Sequence, residues 1–214
     1  MKLIYLILFA IFFSPPFLFS QKDVRIGSQV WTSKNLDVST FRNGDLIPEV
    51  TTKDQWIEYG KLGKPAWCYF GNHEPNNKKT GKLYNWFAVN DPRGLAPLGW
   101  HIPSISEWDS LFQLLGNLRE IGNKLKSKDG WETRKYISNS TGFSAKAGGW
   151  RNIAGDFRSG TATFWSSTAE LWQSFDSRID SNNAGCVTIF AYSNEVSKSS
   201  FDKRMGLSVR CIKD

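Results

Sequence analysis

Residues 97–116 read PLGWHIPSISEWDSLFQLLG, and the second half of that stretch decides the fold class. Ser104 followed three residues later by Glu107 is a capping box, in which each side chain bonds the other residue's backbone N–H. Trp108, Leu111, Phe112 and Leu115 then recur at the spacing that lines one face of a helix, and Gly116 suits the position that ends one. The pattern predicts a helix over 105–115. Upstream, Leu83, Trp86 and Phe87 stand at i, i+3 and i+4 and predict a second main helix over 82–90, stopped by Asp91-Pro92-Arg93-Gly94. Shorter helices are expected around Trp56, within 51–59, and around Ile121 and Leu125.

On both sides of these helices the sequence reads as strands. Val24 to Trp31 alternates around Gly27-Ser28 and predicts a β-hairpin. Asn43-Gly44-Asp45 is a second tight turn, and Pro65 to Phe70 is a strand with aromatic faces. After Trp131, short candidates at 142–145, 148–151, 164–167 and 186–190 are separated by Gly, Asn and Ser. Residues 206–212 close the series with Leu207, Val209 and Cys211 on one face. Strands, two main helices and strands again predict an α+β domain of short antiparallel strands and long loops.

The composition agrees. The chain has 214 residues, 40% hydrophobic and 22% charged, which excludes disordered, collagen-like and coiled-coil proteins. Lys2, the apolar run Leu3–Phe13, Pro15-Pro16 and Ser20 read as a secretory signal peptide over 1–20, leaving a single domain over 21–214. No later stretch is apolar enough to span a bilayer. The expected location is therefore outside the cytoplasm: secreted, periplasmic or on the cell surface. The net charge of +7 is scattered, without a basic stripe or nucleic-acid motif, so no nucleic-acid partner is expected. The three cysteines, Cys68, Cys186 and Cys211, allow at most one internal pair. With two histidines and no Cys/His cluster, no metal site and no cofactor is expected.

Several motifs in order carry a family resemblance. They are Gly81-Lys82-Leu83-Tyr84-Asn85-Trp86-Phe87-Ala88-Val89, Pro97-Leu98-Gly99-Trp100-His101-Ile102-Pro103-Ser104, Ser140-Thr141-Gly142-Phe143-Ser144-Ala145, Phe164-Trp165-Ser166-Ser167-Thr168 and Gly206-Leu207-Ser208-Val209-Arg210-Cys211. From about residue 24 to the end the chain resembles the Fibrobacter succinogenes major paralogous domain family. The resemblance implies a secreted or surface domain of a kind common in Bacteroidetes and Fibrobacteres, with a fold similar to C-type lectins and formylglycine-generating enzymes. Many members carry a Cys where this chain has Ala96; members without it keep two cysteines that match Cys68 and Cys211. Since the first long strand and the terminal strand adjoin in a lectin-like fold, the resemblance implies a Cys68–Cys211 disulfide, with Cys186 a buried extra thiol.

The candidate site follows from the ten tryptophans. Trp86 and Trp108 lie on apolar helix faces and Trp100 and Trp165 in the shared motifs, so these four are assigned to the core. Trp67, Trp150 and Trp172 neighbour polar or Gly-rich segments. An exposed indole stacks on the apolar face of a sugar while adjacent polar groups bond its hydroxyls. Trp67, Trp150 with Arg151, and Trp172 with Asp176 are therefore the candidate ligand contacts. Glu74-Pro75-Asn76 matches a lectin calcium tripeptide but precedes the helices instead of following them, and is read as chance. His101 is read as a packed, hydrogen-bonded residue and not a general base. No catalytic residue is assigned. The expected role is non-catalytic recognition of a glycan or surface polymer; the alternatives are an enzyme related to the formylglycine-generating fold and a purely structural surface protein.

Overall fold

The structure, a computed structural model, describes residues 23–72, 79–169 and 182–214. Residues 1–20, the Glu74-Pro75-Asn76 tripeptide, Trp172 and Asp176 lie outside them. The expected hairpin forms. β1 (Asp23–Ile26) and β2 (Gln29–Thr32) pair antiparallel around Gly27-Ser28, with Val24 opposite Trp31 and Arg25 opposite Val30. Gly27 sits at φ 61, and a Cβ there would stand 2.5 Å from Leu114 Cδ2, so the turn needs both its backbone freedom and its missing side chain.

The remaining elements are α1 (Lys53–Lys61), β3 (Trp67–Cys68), β4 (Leu83–Tyr84), α2 (Trp86–Val89), β5 (Trp100–His101), α3 (Ile105–Leu115), α4 (Gly122–Leu125), β6 (Trp150–Arg151), β7 (Phe157–Arg158), β8 (Thr161–Trp165), β9 (Asn183–Phe190), β10 (Val196–Asp202) and β11 (Ile212–Lys213). Helix α3 has the predicted bounds. Ser104 Oγ accepts the Glu107 N–H at 3.3 Å, and the Glu107 carboxylate accepts the Ser104 N–H at 2.8 Å. Its buried face is Ile105, Trp108, Leu111 and Phe112.

The helix predicted over 82–90 is shorter than its spacing suggests. Leu83 and Tyr84 form β4, paired with Cys68 and Trp67, and Asn85 caps α2 by accepting the Ala88 N–H. Leu83 and Trp86 enter different apolar clusters, so their i, i+3 relation never lay on one helix face. The second main helix is instead α1, capped by Thr52 and burying Trp56.

Strands join in the orders β1-β2-β11-β5, β10-β9-β8, β3-β4 and β6-β7, with every strand pair antiparallel. Short helices with antiparallel sheets make the fold α+β. The terminal segment divides two cores. Leu207, Val209 and Cys211 face one, with Leu36, Tyr84, Trp86 and Trp165. Ile212 faces the other, with Trp31, Trp108, Phe143 and Phe164. In that second core the Trp108 ring lies 4.6 Å from Trp31 and 5.8 Å each from Phe112, Phe143 and Phe164. Such stacked and tilted contacts each add about 0.5–1.5 kcal/mol to the area they bury.

The expected Cys68–Cys211 disulfide is absent: Cys68, Cys186 and Cys211 are all free and buried. The reason is topological. The neighbours of β11 are β2 and β5, whereas Cys68 lies on β3, opposite Leu83, in a third cluster with Val50 and Trp56. Cys211 belongs to the cluster of Val209 and Leu36. Burial pushes the Cys68 and Cys211 thiols up to about 12 and Cys186 to about 11, so all three stay protonated.

Candidate functional site

The described members of the aromatic set do not converge. Trp67 is 6% exposed, and its indole N–H donates to the Ile47 carbonyl at 2.8 Å. The Lys82 ammonium lies 4.3 Å from its ring centroid and is held by the Asp37 carboxylate at 2.8 Å and the Tyr69 hydroxyl at 3.2 Å. Trp67 is therefore a wall around a buried cation and presents no face to a ligand. Arg151 is fully buried. Its guanidinium donates to the carbonyls of Val50, Thr51, Thr52 and Gly155 at 2.7–3.1 Å and lies 4.5 Å from the Trp56 ring. It clamps the entry of α1 to the β6–β7 turn. Trp150, its neighbour on β6, is half-buried against Phe201, 6.0 Å away, and keeps part of its ring at the surface. Trp172 and Asp176 lie outside the described residues.

A different surface brings polar and aromatic side chains together. In the sheet β1-β2-β11-β5, pairing aligns Val24, Trp31, Ile212 and His101, and the first three pack against α3 and its aromatic neighbours. Because strand side chains alternate, the next row must face the other way. That row is Arg25 opposite Val30, then Lys213, then Trp100 opposite Lys213. Arg25 and Lys213 are exposed, and Val30 and Trp100 are half-buried. Lys213 Nζ stands 5.9 Å from the Trp100 ring centroid. Beside the row runs a groove of about 590 Å³, whose lining includes Asp23, Arg25, Ser28, Gln29, Lys213 and Asp214.

His101 stands in the opposite row, level with Ile212, and meets the groove only through Asp214. Nδ1 is 2.7 Å from Asp214 Oδ1 and Nε2 is 2.7 Å from Glu107 Oε1. Partial burial opposes a charge on the ring, but the hydrogen bonds to Glu107 and Asp214 outweigh it and raise the His101 pKa above its usual 6.5. Burial pushes Glu107 up, yet the Ser104 N–H, His101 and the Ser104 hydroxyl together bring it below its usual 4.5. With a carboxylate on each nitrogen, the imidazolium donates twice and has no lone pair left to take a proton from a substrate. His101 ties β5, the start of α3 and Asp214 together.

A second aromatic group surrounds Lys126, whose ammonium is 5.1 Å from the Trp131 ring and 5.6 Å from Tyr136. It donates to the carbonyls of Ser193 at 2.6 Å and Ala191 at 3.3 Å, and burial lowers its pKa to about 8. This cation pins the 127–141 loop to the turn after β9.

Among the described residues no three His, Cys, Asp or Glu side chains gather as a metal site, and no helix is long and apolar enough to cross a membrane. Sequence reasoning missed Arg25 and Lys213, although the alternation of Val24-Arg25-Ile26 and Ile212-Lys213 carries the signal, and it assigned Trp100 wholly to the core. No curated protein and no solved structure matches the chain. Residues 24–213 match the model of the Fibrobacter succinogenes major domain, and the chain belongs to that family.

Proposed function

We propose that the protein is an exported, non-catalytic recognition domain that binds a glycan or surface polymer on the outer face of the β1-β2-β11-β5 sheet. The observation that carries this reading is the row Arg25, Val30, Lys213 and Trp100, which runs across four adjacent strands beside an open groove. A half-buried indole beside the Lys213 ammonium offers a sugar an apolar platform with a polar group at its edge. Residues 1–20 support export. The adjacency of β2 and β11 supports a C-type-lectin-like arrangement, in which the first and last strands lie together.

The test is a glycan-array screen of residues 21–214, with and without chelator, repeated with Trp100→Ala after a thermal melt has shown that variant folded. Binding that survives chelator and falls at least tenfold in Trp100→Ala is the expected result. Binding unchanged by Trp100→Ala moves the site elsewhere, and binding lost in chelator requires a metal ion the reading does not include. An array without hits overturns the reading.

A further inference from the structure

Resting on that reading, we infer that the polymer is an acidic polysaccharide, one whose sugar rings carry carboxylates. Among the described residues neither Arg25 nor Lys213 has a carboxylate within ion-pair distance, whereas Lys53, Lys82, Arg93, Lys146, Lys198 and Arg204 each have one. The two acids that line the groove are placed differently. Asp214 has its Oδ1 taken by the imidazolium of His101. Asp23 stands at the far end of β1, opposite Thr32, two residues from Arg25. The unpartnered charge in the middle of the row is therefore positive.

A neutral polymer lying along the row strips water from both cations and gives them only hydroxyls in return. A carboxylate gives Arg25 a planar two-oxygen partner that matches its fork and gives Lys213 a point charge. Arg25 and Lys213 are separated by one intervening strand, so their backbones stand about 10 Å apart, and Trp100 follows one strand further on. Cation, cation and ring thus follow one another at about 10 Å and then about 5 Å, which sets a sugar-ring face directly beside the second of two carboxylate positions. The net charge of +7 adds a long-range attraction for a polyanion.

The test compares polygalacturonate with the same polymer after carboxyl reduction, which keeps the backbone and removes the charge. Neutral dextran and dextran sulfate complete the set, and residues 21–214 are titrated by calorimetry at 0.15 M salt. The variant is Arg25→Gln/Lys213→Gln; both side chains are exposed, so the fold is retained, and a thermal melt checks it. The expected result is at least tenfold tighter binding of polygalacturonate than of its reduced form, with the advantage abolished in the double variant. Equal binding of both forms overturns this inference while leaving a glycan-binding face. Dextran sulfate bound as tightly as polygalacturonate and indifferent to Trp100→Ala also overturns it, as charge attraction without a built site. If polygalacturonate, its reduced form and dextran all fail to bind while the array is also blank, the underlying reading fails with it.

Discussion

Arg210 and Arg151 show how single residues hold segments far apart in sequence. Arg210 bonds the Asn35 side chain and the carbonyls of Thr32, Phe143 and Ser144 at 2.5–2.9 Å, and it is fully buried, like Arg151. Removing either leaves several buried acceptors without donors. Arg151→Ala and Arg210→Ala should each lower the unfolding free energy by about 3–5 kcal/mol, read by urea denaturation. Arg151→Lys should recover only part of this, because an ammonium cannot fork to four carbonyls; a loss under 1 kcal/mol in the alanine variants contradicts these roles. The cysteines make a separate prediction. Native protein should be unreactive to a thiol reagent at pH 8, and three thiols should titrate in denaturant. A single thiol in denaturant restores the disulfide. At this scale the sequence was a poor guide. Trp67 and Arg151 look like ligand contacts because they sit beside polar or Gly-rich stretches, yet both are buried, one by Ile47 and Lys82 and the other by loop carbonyls from 100 residues away. Local composition does not report on partners that distant.

Helix α3 was legible before any coordinates because its signals are local: a cap, an apolar face and a terminating glycine lie within 13 consecutive residues, Ser104–Gly116. Ser104→Ala should cost about 1 kcal/mol, read by thermal unfolding. The same element sets a pH dependence. The folded-state pKa of His101 is raised above 6.5, so its contribution is fully present below that value and is lost as pH rises through the raised one. Glu107 is depressed below 4.5, so its contribution is present above that value and fades on acidification. Midpoint temperature should therefore decline on the alkaline side of 6.5, and His101→Gln should flatten that limb while leaving the Glu107 limb partly in place. An unchanged alkaline limb in His101→Gln would show that the clamp contributes nothing. Helix α2 was misread for the complementary reason. Leu83, Trp86 and Phe87 have helical spacing, but Tyr84 exchanges backbone hydrogen bonds with Leu207 at 2.9 and 3.0 Å, a pairing across 123 residues that no window could contain. The strand β10, seven residues of mostly serine and lysine character between Val196 and Asp202, forms for a similar reason: all seven pair with β9.

The molecule as a whole is organised by its last strand. The 207–212 segment contributes to both cores, as β8 does through Phe164 and Trp165 and β9 through Cys186 and Val187, so loosening either core loosens the other. Ile212→Ala should lower stability by about 2–5 kcal/mol, and unfolding followed by tryptophan fluorescence and by far-UV circular dichroism should remain coincident. Separated transitions contradict a shared strand. The alternation of Leu207, Val209 and Cys211 was visible in the sequence; that β11 enters between β2 and β5 was not, because register between remote strands is set by which cores they fill. This placement has a consequence in time. A polypeptide made from its amino end holds Trp31, Trp108 and Tyr84 long before it holds Leu207 or Ile212, so each core waits for these later contributors before it is complete. Closure of both cores is thus set by contacts spanning more than 100 residues, and assembly lags behind the appearance of most of the aromatic side chains it uses.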